Sequence, residues 1–572
     1  MIDYKQNLAE FLTKVTNLPV SNIYNLIEIP PQENLGDYSF PCFQLAKEFK
    51  KNPAEIAKEI KEELSDNKPD WLDEIKVAGP YLNFYLEPGF FAENLLKEIL
   101  LKKETFGHKE IGEGKNVIVE YSSPNIAKPF HVGHAFTTIL GQAISNIYEA
   151  LGYNIIRMNH LGDYGTQFGK LIVAWRLWGD ETELAKDPIT ELTRVYVKFH
   201  DELEKEPELE DEAREAFRKL EAKETAEVEL WQKFRQVSLV EFNRLYDRLG
   251  IKFDNYNGES FYSDMIPEVV SLLEEKNLLE ESEGAQLVDL SEFNLNPCII
   301  LKSDGTTIYA SRDLAAILYR NQEYDYHKNI YVVGLPQTNH FQQVFAVLKK
   351  ANFSKADQNV HVGFGTVKFK EGEFSTRKGN IILLEDLLNQ SVDKTRKIIE
   401  TNNPEMTKEI IAETAEKVGL AAVSYTYLRN SREKDIFFDW DEILDFEGDT
   451  APYLMYTYAR ARSVLQKSNF SSIDISKIDF TLLNSEAEFS LLKELYKYPD
   501  AIESAAKEYE PSILLRNISQ IARSFNRYYH NVPILKTDDN DLRSARLALL
   551  EAICIVIQNG LKLVGIETVE RM

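Results

Sequence analysis

The order of apolar and polar positions predicts a parallel α/β sheet that begins near residue 116. The run NVIVEYSS is rich in β-branched residues and ends in polar ones, which is typical of a buried strand that leads into a loop. After the loop PNIAKPF, the stretch HVGHAFTTILGQAISNIYEALG has apolar residues at helical spacing and ends at Gly152. YNIIRMNH is the next predicted strand. Strand, loop, helix and strand in this order open a parallel sheet.

The flanking segments predict further domains. The segment KVAGPYLNFYLEPG predicts a strand between its Gly-Pro and Pro-Gly pairs. Residues 181–230 hold 17 acidic and 8 basic side chains at helical spacing, which indicates a solvated helical surface, and beyond about residue 380 the pattern is almost entirely helical. The predicted domains are a small α/β domain at 1–110, a Rossmann-type parallel-sheet domain at 111–380 with a helical acidic insertion at about 175–290, a helical connecting region at 381–450 and a helical domain at 451–572.

Composition excludes several classes of protein. The chain of 572 residues, 44% apolar and 28% charged, is neither wholly disordered nor of low complexity. No uninterrupted apolar run approaches about 18 residues, which argues against a membrane span. The N-terminus lacks the basic and then apolar order of a secretory signal, so we expect a cytoplasmic protein. The three cysteines are far apart and form no CxxC pair, which argues against a disulfide scaffold or a structural zinc site.

The net charge weakens a nucleic-acid hypothesis without removing it. The formal charge is −26, whereas binding of a polyanion normally shows as a basic surface. From Ala451 to the end, however, the chain has 15 basic and 15 acidic residues, so the whole negative surplus lies upstream. Local patches decide binding, and the C-terminal segment therefore remains a candidate.

The four residues HVGH, His131 to His134, lie where a predicted loop meets a helix. A helix N-terminus has unpaired N–H groups and holds anions readily, and two histidines three residues apart share one face. Gly133 would let a flat ring approach the backbone, and Lys128 could place a positive charge nearby. A zinc site is a poorer interpretation because no third ligand is evident. Two ordinary helix-capping histidines remain an alternative while the motif stands alone.

Polar residues follow the predicted strands at one edge of the sheet. Glu120, Ser122 and Asn125 follow the first strand, and HLGDYGTQ follows the second. The carboxyl ends of parallel strands are where ligands bind in open α/β folds. In LKSDGTTIYASRDLAAILYR, Tyr309 and Asp313 would share a helix face and could hold a planar cation. An acid that only favours the helix dipole is equally consistent with that stretch.

Two further loops carry candidate chemistry. GLPQTNH, residues 334–340, follows the predicted strand NIYVV. The segment KFKEGEFSTRKGNIILLEDLL contains hydroxyls, two cations and a glycine, and such a loop can bring positive charge to a leaving pyrophosphate. A solvated basic turn is the simpler alternative.

Together these motifs resemble those of the class I aminoacyl-tRNA synthetases, and within them the arginine-specific family. HVGH resembles the HIGH signature of the class, and SSPNIAKPFHVGH, HLGDYGTQFGKL, LKSDGTTIYASRD and FSTRKGN resemble the arginine family's motifs in the family's order. VAGPYLNFYL is similar to that family's additional N-terminal domain, and the helical C-terminus, ending in VERM, is similar to its anticodon-binding domain. The resemblance covers essentially the whole chain.

The resemblance implies a two-step reaction. L-arginine and ATP, with Mg²⁺ bound to the ATP and no dedicated protein metal site, give arginyl-adenylate and pyrophosphate, and arginine then passes to the 3′-terminal adenosine of tRNA(Arg). The implied site residues are His131 and His134 at the phosphates with Gly133 under the adenine, Gly334, His340 and Ser375 near the nucleotide, Glu120, Ser122 and Asn125 at the amino and carboxylate ends of arginine, Tyr309, Asp313 and Gln337 at its guanidinium, and Tyr81 and Asn83 at the tRNA D-loop. We also expect a monomer.

One position departs from the class. The usual KMSKS loop has a lysine in its fourth place, where this chain has Thr376. Arginine-specific members often lack that lysine, and the lysine upstream of the HIGH signature, here Lys128, is thought to replace it. A cation needs only to reach the same few ångströms from either loop, so Arg377 and Lys378 remain rival catalytic cations.

Three alternatives stay open at this point. The chain could be a class I synthetase for another amino acid, a nucleotidyltransferase that acts without tRNA, or a non-catalytic tRNA-binding paralogue. The Tyr309, Asp313 and Gln337 set favours arginine over other amino acids, and the long helical C-terminus disfavours the second alternative. The presence of Lys128 and both histidines disfavours the third.

Overall fold

A computed structural model describes residues 1–303, 305–369, 382–468, 470 and 474–572. The chain divides into two compact units, each built from more than one segment. The first unit comprises Met1–Phe106, Thr457–Tyr498 and Asn517–Asn559, and the second comprises Gly107–Tyr456, Pro499–Arg516 and Gly560–Met572. The predicted domain ranges stay predictions.

The described strands and helices are numbered here in chain order. The strands are β1 Tyr38–Pro41, β2 Leu72–Ala78, β3 Tyr81–Leu86, β4 Asn116–Glu120, β5 Asn154–Met158, β6 Leu279–Ser282, β7 Ala285–Val288, β8 Cys298–Leu301, β9 Lys328–Gly334, β10 Asn359–Phe364, β11 Val367–Phe369 and β12 Ile436–Phe438. The helices are α1 Tyr4–Thr16, α2 Val20–Leu26, α3 Ala46–Phe49, α4 Pro53–Ser65, α5 Pro88–Lys102, α6 Val132–Ala150, α7 Thr166–Trp178, α8 Glu181–Lys186, α9 Pro188–Leu203, α10 Glu208–Glu221, α11 Thr225–Arg248, α12 Glu259–Ser263, α13 Ile266–Glu275, α14 Tyr309–Tyr324, α15 Thr338–Lys350, α16 Leu384–Asn402, α17 Lys408–Leu428, α18 Trp440–Ile443, α19 Ala451–Ser468, α20 Glu486–Tyr496, α21 Tyr498–Lys507, α22 Ser512–Asn531 and α23 Asn540–Leu563.

A four-stranded parallel sheet is the centre of the second unit. Its strand order is β10-β9-β4-β5, and each neighbouring pair is parallel. The middle of β4 is fully buried because helices cover both faces of such a sheet, which explains its continuous apolar run. The predicted strand, loop, helix and strand are confirmed as β4, α6 and β5, with α6 ending at Ala150 before Gly152.

The acidic stretch at 181–230 is helical, as its spacing predicts, and forms α8, α9, α10 and the start of α11. These helices precede a small antiparallel sheet of order β6-β7-β8. The segment CIIL forms β8, which belongs to this small sheet rather than to the parallel one. Insertion and sheet thus lie between β5 and β9 along the chain, and the parallel sheet resumes only at β9.

The first unit contains an antiparallel sheet of order β1-β3-β2. β2 and β3 form a hairpin whose turn includes Gly79 at a φ of 59°, a left-handed conformation that favours glycine. The carboxylate of Asp37, near this sheet, pairs with Lys493 of α20 at 3.2 Å. Segments from both ends of the chain therefore make up this unit.

Beyond residue 380 the described chain is helical with one exception. β12 pairs in parallel with β11, with Ile436 opposite Val367, so the prediction of an almost entirely helical region overlooked a three-residue strand. α23 is long and apolar enough to cross a membrane by length and composition, but 72% of its most apolar window is buried inside the protein. Polar residues interrupt that window, which is why a search for uninterrupted apolar runs missed it.

Candidate active site

The topology of the parallel sheet places a ligand crevice between β4 and β9. β5 adds to one side of β4, whereas β9 and β10 add to the other side. In open α/β sheets, ligands bind outside the carboxyl ends of the strands where the order reverses in this way. Glu120 ends β4 and pairs with Tyr331 of β9, three residues before Gly334. Most of the predicted site residues follow these two strands.

The two histidines of HVGH lie together at the start of α6. Their ring centroids are 3.8 Å apart and their planes differ by 25°. The Nδ1 of His131 accepts a hydrogen bond from the N–H of Gly133 at 3.1 Å, and the Nδ1 of His134 accepts one from the N–H of His131 at 3.3 Å. Each ring thus caps an amide that the helix leaves unpaired. Because an accepting Nδ1 is unprotonated, a neutral ring in this arrangement has its proton on Nε2.

Both imidazoles are neutral near pH 7. Burial lowers the pKa of His131, and the charge of Lys128 lowers it further. Burial lowers the pKa of His134 to about 3, with contributions from the charges of His131 and Lys128. Neither Nε2 is hydrogen-bonded to the described part of the chain, so both Nε2–H groups are available to an anionic oxygen. The exposed Lys128 acts electrostatically on both rings.

Gly133 is required by the histidine that precedes it. A Cβ at this position would lie 2.9 Å from Cε1 of His131 and 3.1 Å from its Nδ1. The absence of a side chain therefore allows the His131 ring to fold back onto the first turn of α6. The contact with adenine that the family resemblance implies stays a prediction.

The chain that follows the KMSKS-like segment is hydrogen-bonded to the HVGH turn. The N–H of Val132 donates to the carbonyl of Ile382 at 3.1 Å, and the N–H of Leu384 donates to the carbonyl of Phe130 at 2.9 Å. These bonds anchor the beginning of α16 beside the two histidines. The candidates Ser375, Arg377 and Lys378 lie outside the described residues.

The loop after β4 has an unusual backbone. Ser122, Ser123 and Ala127 have φ values of 69°, 46° and 60°, in the left-handed region. Non-glycine residues there carry strain of order 1–3 kcal/mol each and are often found at ligand sites. Ser122 is 2% exposed, and its hydroxyl lies 2.7 Å from that of Tyr246 and accepts from Thr138 at 2.8 Å. The serine predicted to hold arginine is therefore engaged in a buried network.

Asn125 joins the loops that follow β4 and β5. It forms a parallel bridge with Gly162, and a Cβ on Gly162 would lie 2.2 Å from Oδ1 of Asn125. The glycine in HLGDYG is thus needed for the close approach of these loops. Ser123, two residues before Asn125, has a buried Oγ without a hydrogen-bond partner in the described structure.

Glu120 is paired with a buried arginine from α14. The Nη2 of Arg320 donates to Oε2 of Glu120 at 2.5 Å and lies 3.3 Å from Nδ1 of His160, which follows β5. Glu120 is 6% exposed and Arg320 is 0% exposed. If Glu120 binds the amino end of arginine as predicted, it does so while it is also paired with Arg320.

Asp313 lies on the first turns of α14, as the spacing of its motif predicts. Its Oδ2 is 2.5 Å from Nε2 of His340, on α15. Burial alone would lower the pKa of His340, but the hydrogen bond and the charge of Asp313 raise it above its ordinary value. His340, which the resemblance places near the nucleotide, is thus a direct partner of the carboxylate expected to hold guanidinium. Tyr309 opens the same helix and is 64% exposed.

A second carboxylate lies beside Asp313. Glu259 begins α12, and its N–H donates to the carbonyl of Leu161 in the loop after β5 at 3.0 Å. Burial raises the pKa of Glu259 to about 7, the charge of Arg312 at 3.3 Å opposes the rise, and the charges of Asp313 and Asp163 add to it. Asp163 is fully buried and accepts from the N–H and the hydroxyl of Ser260, both at 2.9 Å.

Tyr331 of β9 interacts with charged groups from both β4 and α14. Burial raises the pKa of the Tyr331 hydroxyl, the charge of Arg320 opposes the rise, and the charges of Glu120 and Asp313 add to it. The carboxylate at the end of β4 and the carboxylate on α14 therefore act on one ring of β9. Gln337, at the end of the turn after β9, is exposed and could approach the same region.

Tyr81 and Asn83 both lie on β3 of the first unit. The ring of Tyr81 packs edge to face on the half-exposed Phe43, with centroids 5.5 Å apart. Asn83 is 4% exposed, and its Oδ1 accepts from the hydroxyl of Ser39 at 2.7 Å. The tRNA contacts implied for these two residues stay predictions.

Sequence reasoning missed Glu259, Arg312 and Arg320. Glu259 follows Gly258, and a Cβ on that glycine would lie 2.5 Å from Oδ1 of Asp163. A glycine directly before an acid was the only hint in the sequence that this carboxylate lies in a close-packed loop. Arg320 lies on the same face of α14 as Asp313, seven residues later. Arginine is rarely buried unless it is paired, so its position two turns after Asp313 was the available signal for a buried ion pair. Within the described residues, no group of three or more His, Cys, Asp or Glu side chains could hold a metal ion.

Comparison with known protein families identifies three segments. Residues 95–440 match the model of the class I tRNA synthetase catalytic domain marked (R). Residues 454–572 match the DALR anticodon binding domain, and residues 3–86 match the arginyl tRNA synthetase N terminal domain. These matches follow the order of the motifs along the chain.

Individual relatives agree along the full length. The chain is 52% identical to an arginine–tRNA ligase of Clostridium botulinum and 50% identical to one of Clostridium kluyveri, in each case over 571 residues and 100% of both chains. Its structure is similar to that of the Thermus thermophilus arginyl-tRNA synthetase, with a TM-score of 0.81 and 25% identity, over 100% of this chain and 99% of that one.

Proposed function

The chain belongs to the arginine-specific class I tRNA synthetases, which are ATP-dependent ligases, and we propose that it joins L-arginine to tRNA(Arg) in two steps. In the first, a carboxylate oxygen of arginine attacks the α-phosphorus of ATP and pyrophosphate leaves. In the second, the 3′-terminal adenosine of tRNA attacks the carbonyl carbon of the adenylate and AMP leaves. The observation that supports this most is the placement of the neutral imidazoles after β4, while the carboxylates of Glu120, which ends β4, and of Asp313 both act on Tyr331 of the neighbouring strand β9.

The carboxylates of Asp313 and Glu259 suit the guanidinium of arginine. A planar guanidinium donates two parallel hydrogen bonds to a carboxylate, which the ammonium of lysine cannot reproduce. Citrulline is uncharged and would not supply the positive charge that arginine brings to these carboxylates, at a cost of about 3–5 kcal/mol. Discrimination in a single step is therefore sufficient, without an editing site. Tyr309 and Gln337 would complete this end.

The imidazoles suit the phosphates. The Nε2–H groups of His131 and His134 would donate to the negative oxygens that develop charge as the α-phosphorus is attacked. Since both rings are neutral, they can donate to phosphate without repelling the positive charge of Lys128. Lys128 is the cation we assign to the leaving pyrophosphate, with Arg377 and Lys378 as the rivals. Mg²⁺ would arrive with ATP as part of the substrate.

The two terminal segments suit the tRNA. The C-terminal helices match an anticodon-binding family and carry no surplus of negative charge, unlike the rest of the chain. Tyr81 and Asn83 of the N-terminal domain would approach the D-loop, and the half-exposed Phe43, which packs on Tyr81, offers a ring on which a base can stack. We further propose that the enzyme acts as a monomer in the cytoplasm.

The test is aminoacylation of bulk tRNA by the purified protein with each of the twenty amino acids, together with ATP–pyrophosphate exchange with and without tRNA. We expect charging with arginine alone. Charging with another amino acid would reassign the specificity, exchange without any charging would indicate a nucleotidyltransferase, and tRNA binding with neither activity would indicate a non-catalytic paralogue. The exchange assay also decides whether adenylate formation needs bound tRNA.

A further inference from the structure

The buried guanidinium of Arg320 is only partly used by the fold. Its Nη2 contacts Glu120 and His160, while Nε and Nη1 have no hydrogen-bond partner among the described residues. The faces of two tyrosine rings, Tyr262 and Tyr331, lie 5.7 and 5.4 Å from the guanidinium carbon. A buried ion pair of this kind adds little stability compared with apolar packing. We therefore look for the role of Arg320 in the arginine site, to which Glu120 belongs.

Arg320 and Asp313 have opposite charges on one face of α14. They are seven residues apart, which is two helical turns, or about 10 Å along the axis. Asp313 faces His340 at one end, and Arg320 faces Glu120 at the other. Asp313 is therefore paired with a histidine, which can lose its proton, whereas Glu120 is paired with a guanidinium, which stays charged.

The substrate makes this asymmetry important. Arginine has a cationic group at each end, an ammonium and a guanidinium, and two carboxylates facing each other could accept it in either direction. Only one direction brings the substrate carboxylate to the phosphates of ATP. Because Nη2 of Arg320 already donates to Oε2 of Glu120, a second guanidinium that made two parallel bonds there would share that oxygen with a buried, permanently charged group of the same sign. Oε1 makes no hydrogen bond to the described part of the chain and can still accept from an ammonium.

We propose that Arg320 is a positioning residue that sets the direction in which arginine binds, by occupying the carboxylate of Glu120 that would otherwise accept the guanidinium. This inference rests on the proposed function. Without Arg320, arginine binds in both directions, and the reversed complex is unproductive.

The test is the arginine dependence of ATP–pyrophosphate exchange in Arg320→Met, under the conditions in which the unaltered enzyme is active. Unproductive binding lowers kcat and KM for arginine together and leaves their ratio nearly unchanged. We expect both to fall by about tenfold, the effect of one charge-assisted interaction. Agmatine, which has both cationic groups and no carboxylate, should inhibit the variant more strongly than the unaltered enzyme. Arg320→Lys retains the charge but not the fork and should give a smaller change.

A purely structural role predicts a different result. If Arg320 only holds the fold together, Arg320→Met should raise KM for arginine or lower kcat alone, and agmatine should inhibit it no better; either outcome overturns the proposal. Should that variant not fold, the double variant Arg320→Met/Glu120→Gln removes both buried charges at once. We then expect KM for arginine to rise with kcat largely kept, whereas a parallel fall of kcat and KM would contradict the role of Glu120 as the competing acceptor. Failure of the unaltered enzyme to use arginine would refute the proposed function instead.

Discussion

Replacement of Asp313 by asparagine should weaken arginine binding while leaving ATP binding intact. The carboxylate is 21% exposed and lies 2.5 Å from His340, so it sits in a partly desolvated pocket. At a separation of about 4 Å and an effective dielectric constant of about 20, a pair of unit charges is worth about 4 kcal/mol. Asparagine keeps one acceptor oxygen and Glu259 remains nearby, so we expect a loss of about 3 kcal/mol, or about a hundredfold rise in KM for arginine.

The assay is ATP–pyrophosphate exchange with arginine and ATP varied separately. Asp325→Asn is a matched control because that carboxylate ends the same helix, is 91% exposed and lies in the αL conformation that asparagine adopts readily. In Asp313→Asn the pKa of His340 should also fall, since burial then acts on it without the carboxylate, and NMR titration reports that shift. A KM for arginine that changed no more than in the control would refute the assignment.

Three further predictions follow from the same geometry. Lys128→Ala should slow single-turnover adenylate formation by about a hundredfold with little effect on KM for ATP; an unchanged rate would transfer the role to the KMSKS-like segment. KM for arginine should fall as pH rises through about 7, where Glu259 loses its proton. Loss of the proton of His340, whose pKa is raised, should add to the fall because the imidazolium then ceases to compete for the carboxylate. Glu259→Gln should reduce the pH dependence near 7, and a profile unchanged in the variant would refute the titration of Glu259. Gly133→Ala should displace the His131 ring and reduce kcat, and a crystal structure with the ring in place would contradict the steric argument.

The local features of the site could be predicted from the sequence because they depend on residues close together along the chain. The first turn of α6 holds His131 and His134, and helical spacing alone puts them on one face. The same applies to Tyr309 and Asp313 at the start of α14. Strand ends and their polar loops were recognised from β-branched runs that stop at polar residues.

The pairs that complete the site could not be predicted because they join distant segments. Arg320 reaches Glu120 across 200 residues, and Glu259 is brought to Asp313 by the end of the acidic insertion. No local pattern states which carboxylate faces which cation. The sequence shows which residues are acidic or basic, but which of them pair depends on the order of the strands in the sheet.

The most direct test of the account is a crystal structure of the enzyme with a non-hydrolysable arginyl-adenylate analogue. We predict that the guanidinium lies within hydrogen-bond distance, about 3 Å, of the Asp313 carboxylate, and that a phosphate-equivalent oxygen lies at a similar distance from Nε2 of His131 or His134. The α-ammonium should approach the free oxygen of Glu120. An analogue whose guanidinium pairs with Glu120, or lies away from Asp313, would contradict the central claim.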